Sequence, residues 1–151
     1  MGNFNKFFQE CKKQNIILVK KKLSIQTFSN VSIRINNNYF TIKPTGVIPK
    51  KIKIKDSPVI RIRDGKKISG RYNPSVDTPT HQILYKHFKD LKSISHTHSK
   101  FATAWAQTGK PIPIYGTTHS DYWPSEVPIT RYIKKKELKL YEKNTGKIII
   151  Q

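Results

Sequence analysis

Two histidines separated by one residue, His96 and His98, are the side chains whose type and spacing most directly suggest chemistry. Residues 91–97 alternate as a strand does, and the two-residue period of a strand turns both imidazoles toward one face. Neutral imidazoles are common ligands of Zn²⁺ and other first-row divalent metals. The pair would equally suit an exposed strand end, so the spacing gives a candidate metal site with that alternative open.

Other histidines and carboxylates extend the candidate list. Asp77 lies at a predicted loop-to-helix junction, where it could complete a metal ligand set or help to cap the helix. His119 and Asp121 form a second polar cluster in a predicted loop, a place where functional groups are often carried. His81 and His87 are six residues apart on a predicted helix and share no face, so we interpret them as surface or core histidines.

Small residues in two predicted loops could present backbone N–H groups and hydroxyls to a phosphate. These residues are Thr45, Gly46 and Ser75, which their spacing alone would equally describe as ordinary turn residues. The sequence contains no Gly-rich nucleotide loop, no CxxC pair and no nucleophile elbow. Several common enzyme classes are therefore excluded.

The positioning elements follow from hydrophobic periodicity and turn residues. We predict an opening helix, a β-hairpin around the asparagine run 36–38, a further strand, and then a helix–strand–helix sequence. A loop-rich stretch to residue 130 and a final strand complete the chain, which we interpret as one mixed α+β domain over residues 1–151. The predicted elements are a helix over 3–15, strands over 31–35, 39–42 and 58–63, a helix over 79–89, a strand over 91–97, a helix over 99–107 and a strand over 148–150.

The charge is strongly positive, with 29 basic and 9 acidic residues giving a formal net charge of +20. A phosphorylated or polyanionic partner is therefore considered first. Lysine supplies 24 of the basic residues, in runs that are apart in sequence and not interleaved with aromatic residues, so specific nucleic-acid binding is not expected. No apolar run approaches the roughly 20 residues of a membrane helix. With one cysteine, Cys11, and no signal-peptide pattern, we expect a cytoplasmic protein without membrane partners.

Six sequence blocks in a fixed order carry a resemblance to a known family, from about residue 23 to the end. They are residues 28–32 (FSNVS), 41–47 (TIKPTGV), 74–81 (PSVDTPTH), 96–99 (HTHS), 102–107 (ATAWAQ) and 116–122 (GTTHSDY). On these blocks the chain resembles the class II aldolase and epimerase family. The blocks favour the epimerase branch over the fuculose-phosphate aldolase branch, in which a glutamate replaces the equivalent of Asp77.

The resemblance implies an α/β class II aldolase-like fold, with α/β/α layers around a mostly antiparallel central sheet that is incomplete at the C-terminus. It also implies a homotetramer with active sites at subunit boundaries. Zn²⁺ would be bound by His96 and His98, with Asp77 beside or on the metal. Asp121 would be an acid/base residue reaching across the subunit interface. The family's third zinc-binding histidine and catalytic tyrosine are expected beyond Gln151.

The substrate implied by the resemblance is a sugar phosphate. Its contacts would map to Ser29, Asn30, Thr45, Gly46, Ser75 and Val76. The family usually has glycine at the position of Ser29 and serine at that of Val76. The implied reaction interconverts L-ribulose 5-phosphate and D-xylulose 5-phosphate by breaking and remaking the C3–C4 bond in a retro-aldol and aldol sequence. The alternatives are a sugar-phosphate aldolase of the same family and a non-catalytic protein that binds polyanions non-specifically.

Overall fold

A computed structural model describes residues 4–151 of the chain. Its centre is a five-stranded sheet in the order β4-β3-β2-β1-β5, and every neighbouring pair of strands is antiparallel. The strands are β1 (Asn30–Arg34), β2 (Tyr39–Ile42), β3 (Val59–Arg61), β4 (Lys67–Ser69) and β5 (Ser93–His96). The mostly antiparallel sheet that the family resemblance implied is therefore confirmed.

Helices cover both faces of this sheet. They are α1 (Asn5–Lys20), α2 (Thr78–His87), α3 (Lys100–Ala106), α4 (Thr117–Tyr122) and α5 (Tyr141–Ile150), with 3₁₀ turns at Pro49–Lys51, Ile54–Asp56 and Lys135–Leu140. Helix α1 packs on β1 and β2, whereas α2 packs on the opposite face and contacts α5. The predicted α/β/α layering is confirmed. Among residues 4–151 no helix is both long enough and apolar enough to cross a bilayer.

The hairpin that joins β1 to β2 follows directly from the asparagine run. The side-chain oxygen of Asn36 accepts hydrogen bonds from the backbone N–H groups of Asn38 (2.8 Å) and Tyr39 (3.0 Å). Asparagine favours turns because its side chain can replace backbone hydrogen-bond partners in this way. The turn sets a register in which Arg34 stands opposite Phe40. The hairpin prediction is confirmed.

The apolar core lies between the sheet and α2. Its buried members are Phe40, Ile42, Ile60, Ile62 and Tyr85. The ring of Tyr85 packs against that of Phe40, with centroids 5.0 Å apart. Alternation along β2 sends Tyr39 to the other face, where its ring lies 6.5 Å from that of Phe4 beside α1. Both faces of the sheet are therefore occupied.

Two predictions of local structure were wrong. Residues 148–150 form the last turn of α5, not a strand, because a short apolar run does not by itself distinguish a strand from a buried helix segment. Helix α5 packs so closely on α2 that a Cβ on Gly146 would meet the carbonyl oxygen of Thr80 at 3.0 Å. Residues 117–122, predicted as loop, form the short α4.

One helix boundary differs, and one strand was not predicted. The opening helix extends five residues beyond the predicted residue 15, and Asn3, where it was predicted to begin, lies outside the described residues. Strand β4 was not predicted, because its three residues at the edge of the sheet include an exposed lysine and carry little apolar pattern.

A buried arginine joins β1 to the end of α2. Arg34 Nε donates to the carbonyl oxygen of Leu91 (2.7 Å), and its Nη2 donates to those of Tyr85 (2.7 Å) and Phe88 (2.9 Å). Its guanidinium also lies 4.8 Å from the centre of the Tyr85 ring. The last carbonyls of a helix have no partner within the helix, so Arg34 supplies the donors that the end of α2 requires.

We expect Arg34→Met to destabilise the protein by about 3 kcal/mol, because it removes the donors of the Tyr85 and Leu91 carbonyl groups and each unsatisfied polar group costs about 1–3 kcal/mol. Urea unfolding measures the change. The matched control is Arg63→Met, because the side chain of Arg63 is largely exposed. Equal unfolding midpoints for the two variants would contradict this role for Arg34.

Candidate metal and substrate site

Four segments distant in sequence converge at one end of the sheet. They are the start of β1, the loop after β2, the loop before α2 and the end of β5. Asn30 stands opposite His96 in the β1–β5 pair. The backbone N–H of Thr45 donates to the carbonyl oxygen of Asn73 at 3.0 Å, which joins the other two segments. Most of the predicted site residues therefore lie together.

Asp77 is the centre of this cluster. Its Oδ2 accepts a hydrogen bond from Asn30 Nδ2 at 2.5 Å and lies 2.9 Å from His96 Nδ1. The carboxylate makes no capping hydrogen bond to α2, although Asp77 occupies the residue before that helix. It therefore links β1 to β5 and does not cap α2. Because Nδ1 of His96 faces the carboxylate, Nε2 is the ring nitrogen left for a ligand.

The charges of this pair stabilise each other. The hydrogen bond that His96 donates to Asp77 raises the pKa of His96, against the opposing effect of partial burial. Burial would raise the pKa of Asp77, but hydrogen bonds and charge from His96 and the amide of Asn30 outweigh it and lower that pKa to about 2. Asp77 is consequently a carboxylate at neutral pH.

His98 lies next to His96. The two ring centroids are 4.9 Å apart, and on its other side His98 lies 6.0 Å from the ring of Phe28. The backbone N–H of His98 donates to the carbonyl oxygen of Leu23 at 3.0 Å, which ties the segment after β5 to the segment after α1. The two-residue spacing thus brings both imidazoles together.

The side chains of His96 and His98 are of the type that binds zinc, but two imidazoles are fewer ligands than a zinc site has. Two imidazoles, one of them hydrogen-bonded to a carboxylate, are typical of zinc sites, because the carboxylate orients the ring and raises its basicity. Zinc sites have three or four ligands from the protein, and water or substrate completes a site that has three. Within residues 4–151, no group of three or more His, Cys, Asp or Glu side chains is arranged to hold a metal ion. The described residues thus offer two candidate zinc ligands and no complete ligand set.

The predicted substrate-binding residues border the same cluster. Ser29, Asn30 and Ser75 are buried, whereas Thr45, Gly46 and Val76 are exposed. Ser75 Oγ lies 3.4 Å from Asp77 Oδ2. Gly46 has a φ of +65°, a conformation that favours glycine, and no atom lies within 4 Å of where its Cβ would be. Its backbone therefore faces open space.

Asp121 lies apart from this cluster within the chain. It is exposed on α4, and no hydrogen bond or ion pair among residues 4–151 joins it to Asp77 or His96. His119 on the same helix has its Nε2 3.0 Å from the carbonyl oxygen of Ser125. An acid/base role for Asp121 consequently stays a prediction that requires a neighbouring subunit.

Sequence reasoning missed two charged residues of the site. Lys43 is buried, with Nζ donating to the carbonyl oxygens of Thr27 (2.9 Å) and Pro44 (3.2 Å), and burial lowers its pKa. Glu142 lies close to Asp77, and burial together with that neighbouring carboxylate raises its pKa. One lysine among 24 carries no signal, and Glu142 is distant in sequence from the other site residues.

A cavity of about 340 Å³ lies beside the cluster, between α2, β5 and α5. Its polar lining includes Asp77, His81, His96 and Glu142. Apolar side chains form much of the remaining wall. The arrangement suits a small polar molecule held against a mixed charged and apolar surface.

The chain matches the family "Class II Aldolase and Adducin N-terminal domain" over residues 9–149, and it belongs to that family. It is 44% identical over 139 residues to a probable L-ribulose-5-phosphate 4-epimerase of Mycoplasma pneumoniae, covering 91% of this chain and 57% of the relative. It is 43% identical over 148 residues to L-ribulose-5-phosphate 4-epimerase of Salmonella paratyphi B, covering 97% and 64%. The chain thus spans about three fifths of the length of these curated relatives.

Solved structures show the same fold. An L-fuculose 1-phosphate aldolase superimposes with a TM-score of 0.78 at 26% identity, over 94% of this chain and 68% of the other. A sugar-phosphate aldolase from Thermotoga maritima superimposes with a TM-score of 0.70 at 18% identity, over 97% and 78%. The family predicted from the six sequence blocks is confirmed.

We expect Asp77→Asn to lower the pKa of His96 in the metal-free protein, because an amide does not stabilise the imidazolium as a carboxylate does. The wild-type ring should stay protonated to a pH above its ordinary 6.5, and the variant ring should lose its proton at a lower pH. Histidine NMR titration measures both values. An unchanged His96 titration in Asp77→Asn, with Asp64→Asn as the control, would show that the pair does not interact in solution.

Proposed function

We propose that this chain carries the N-terminal part of the active site of an L-ribulose-5-phosphate 4-epimerase, which interconverts L-ribulose 5-phosphate and D-xylulose 5-phosphate. The observation that carries the proposal is the hydrogen-bonded contact of Asp77 with Asn30 and His96 at the point where the four segments meet. The relatives named as epimerases support it, at 43–44% identity across nearly the whole chain.

We propose Zn²⁺ as the cofactor, with His96 Nε2 and the His98 imidazole as ligands and Asp77 orienting His96. Enzymes of the class II aldolase family generally use a divalent metal. When bound, such an ion acts as a Lewis acid that stabilises negative charge developing on substrate oxygens as the C3–C4 bond breaks. The contribution of Asp77 is to fix the ring of His96 and to leave its Nε2 free.

The loops would hold the sugar phosphate. The backbone N–H of Gly46 and the hydroxyls of Thr45 and Ser75 offer donors of the kind that bind phosphate, and Ser29 immediately precedes β1. Val76 has no hydroxyl, so its contribution is restricted to the backbone. A firm grip on the phosphate keeps the departing glycolaldehyde phosphate in place between cleavage and recondensation.

We propose that the protein is a cytoplasmic homotetramer, in which Asp121 of a neighbouring subunit supplies an acid/base group to this site. Its exposure on α4 leaves the carboxylate available to another chain. The surface around α3 and α4 also carries exposed aromatic residues, which are enriched at protein interfaces. They include Phe101, Tyr122 and Tyr132, which are 83%, 87% and 81% exposed in the single chain.

The primary test is conversion of L-ribulose 5-phosphate to D-xylulose 5-phosphate by folded protein with added Zn²⁺. We expect His96→Ala and His98→Ala to lose both bound zinc and turnover, because each removes a ligand. His87→Ala is the matched control, since His87 is exposed at the end of α2. Zinc content equal to wild type in both ligand variants would contradict the site, and net accumulation of glycolaldehyde phosphate would indicate an aldolase.

We expect Asp121→Asn to lower turnover by roughly 10²–10⁴-fold, the usual contribution of a general acid or base, without loss of zinc. Zinc content and kcat are measured on the same preparation. Wild-type turnover in this variant would exclude an acid/base role. Loss of zinc along with activity would show that Asp121 acts through the fold or the assembly.

A further inference from the structure

A chain of three buried polar side chains lies beneath the site, on the α2 face of the sheet. Ser32 Oγ is 2.7 Å from His81 Nδ1 and 2.9 Å from the hydroxyl of Tyr85. All three residues are at most 1% exposed. Buried polar groups with well-defined partners hold a fixed arrangement, so the direction of each proton can be assigned from the available partners.

The proton positions follow from the number of acceptors. Among residues 4–151 the Tyr85 hydroxyl has no acceptor other than Ser32 Oγ, so its proton is donated there. Ser32 has a single hydroxyl proton, which is then donated to His81 Nδ1. A ring nitrogen that accepts a hydrogen bond carries no proton, so His81 holds its proton on Nε2. Burial lowers the pKa of His81 to about 4, which keeps the ring neutral.

His81 also lines a cavity, and its Nε2 is the ring nitrogen that Ser32 does not engage. His81 is part of the lining of the 340 Å³ cavity that also contains Asp77 and His96. Because Ser32 occupies Nδ1, Nε2–H is the polar group that His81 has left to offer a ligand there. Nε2 has no hydrogen-bond partner among the described residues. A donor in such a place takes its acceptor from water or from a bound molecule.

We propose that His81 Nε2–H donates a hydrogen bond to an uncharged oxygen of the sugar chain, a hydroxyl or carbonyl, of the bound sugar phosphate. Ser32 and Tyr85 hold the imidazole in the required tautomer. The carboxyl groups of Asp77 and Glu142 line the same cavity and disfavour the phosphate there, whereas a neutral donor suits a neutral oxygen. His81 would bind and orient the substrate, with no proton transferred. This proposal rests on the proposed function.

Two substitutions separate this role from a structural one. The amide of asparagine reaches the position of Nδ1, so His81→Asn keeps a partner for Ser32 and removes the donor to the cavity. The longer amide of glutamine reaches the position of Nε2, so His81→Gln keeps that donor and loses the partner of Ser32. If His81 binds the ligand, His81→Asn should bind the sugar phosphate more weakly than His81→Gln. If His81 has only a structural role, the order of the two affinities should be reversed.

Calorimetric titration measures the affinity of each variant for L-ribulose 5-phosphate, and thermal unfolding checks that each variant is folded. We expect His81→Asn to bind about tenfold more weakly than wild type, as for loss of one buried hydrogen bond, and His81→Gln to bind within about threefold. His87→Gln on the same helix is the control. Near-wild-type binding by His81→Asn with weak binding by His81→Gln would overturn the proposal.

The wild-type protein gives a test that does not depend on either variant. The ¹⁵N NMR spectrum of His81 should show a proton on Nε2 and none on Nδ1, and the Nε2 resonance should move when L-ribulose 5-phosphate is added. A proton on Nδ1, or an Nε2 resonance unmoved at saturating sugar phosphate, overturns the proposal. Binding without conversion contradicts the proposed function alone and leaves the assignment of His81 intact.

Discussion

The site depends on one partly buried carboxylate, Asp77, that is paired with His96 and Asn30. Asp77 lies at the start of α2, Asn30 at the start of β1 and His96 at the end of β5, and the hydrogen bonds of Asp77 join all three. A buried charge without partners is costly, so this pairing favours the arrangement in which the four segments converge. The hydrogen bond between Asp77 and His96 also orients the His96 ring. It therefore contributes both to the fold and to the proposed metal site.

The α2 face of the sheet continues this pattern away from the site. Ser32 and Arg34 point from β1 toward α2, where His81, Tyr85 and the carbonyls at the helix end are their partners. Each of these polar groups is satisfied only if α2 lies at one position and one rotation on the sheet. Asp77 and His81, four residues apart on the same segment, are therefore held in a fixed relation to His96.

Much of this arrangement could be predicted from local pattern. The asparagine turn predicted the β1–β2 hairpin, and the alternation before His96 placed both imidazoles together. Three features could not be predicted, since tertiary contacts determine them. The isoleucines at 148–150 are helical because α5 packs on α2, Glu142 reaches the site through that packing, and His81 is defined by Ser32 on a distant strand. Periodicity gives no information on such long-range partners.

In the proposed site Asp77 prepares His96 to bind a metal ion, and zinc affinity tests this role most directly. Competition titration with a chromophoric chelator compares wild-type protein with Asp77→Asn, using Asp64→Asn as a remote control. Loss of a carboxylate that orients a ligating histidine typically weakens metal binding by about 10–100-fold, and we predict a loss in that range. Equal zinc affinity in wild type and Asp77→Asn would contradict the claim.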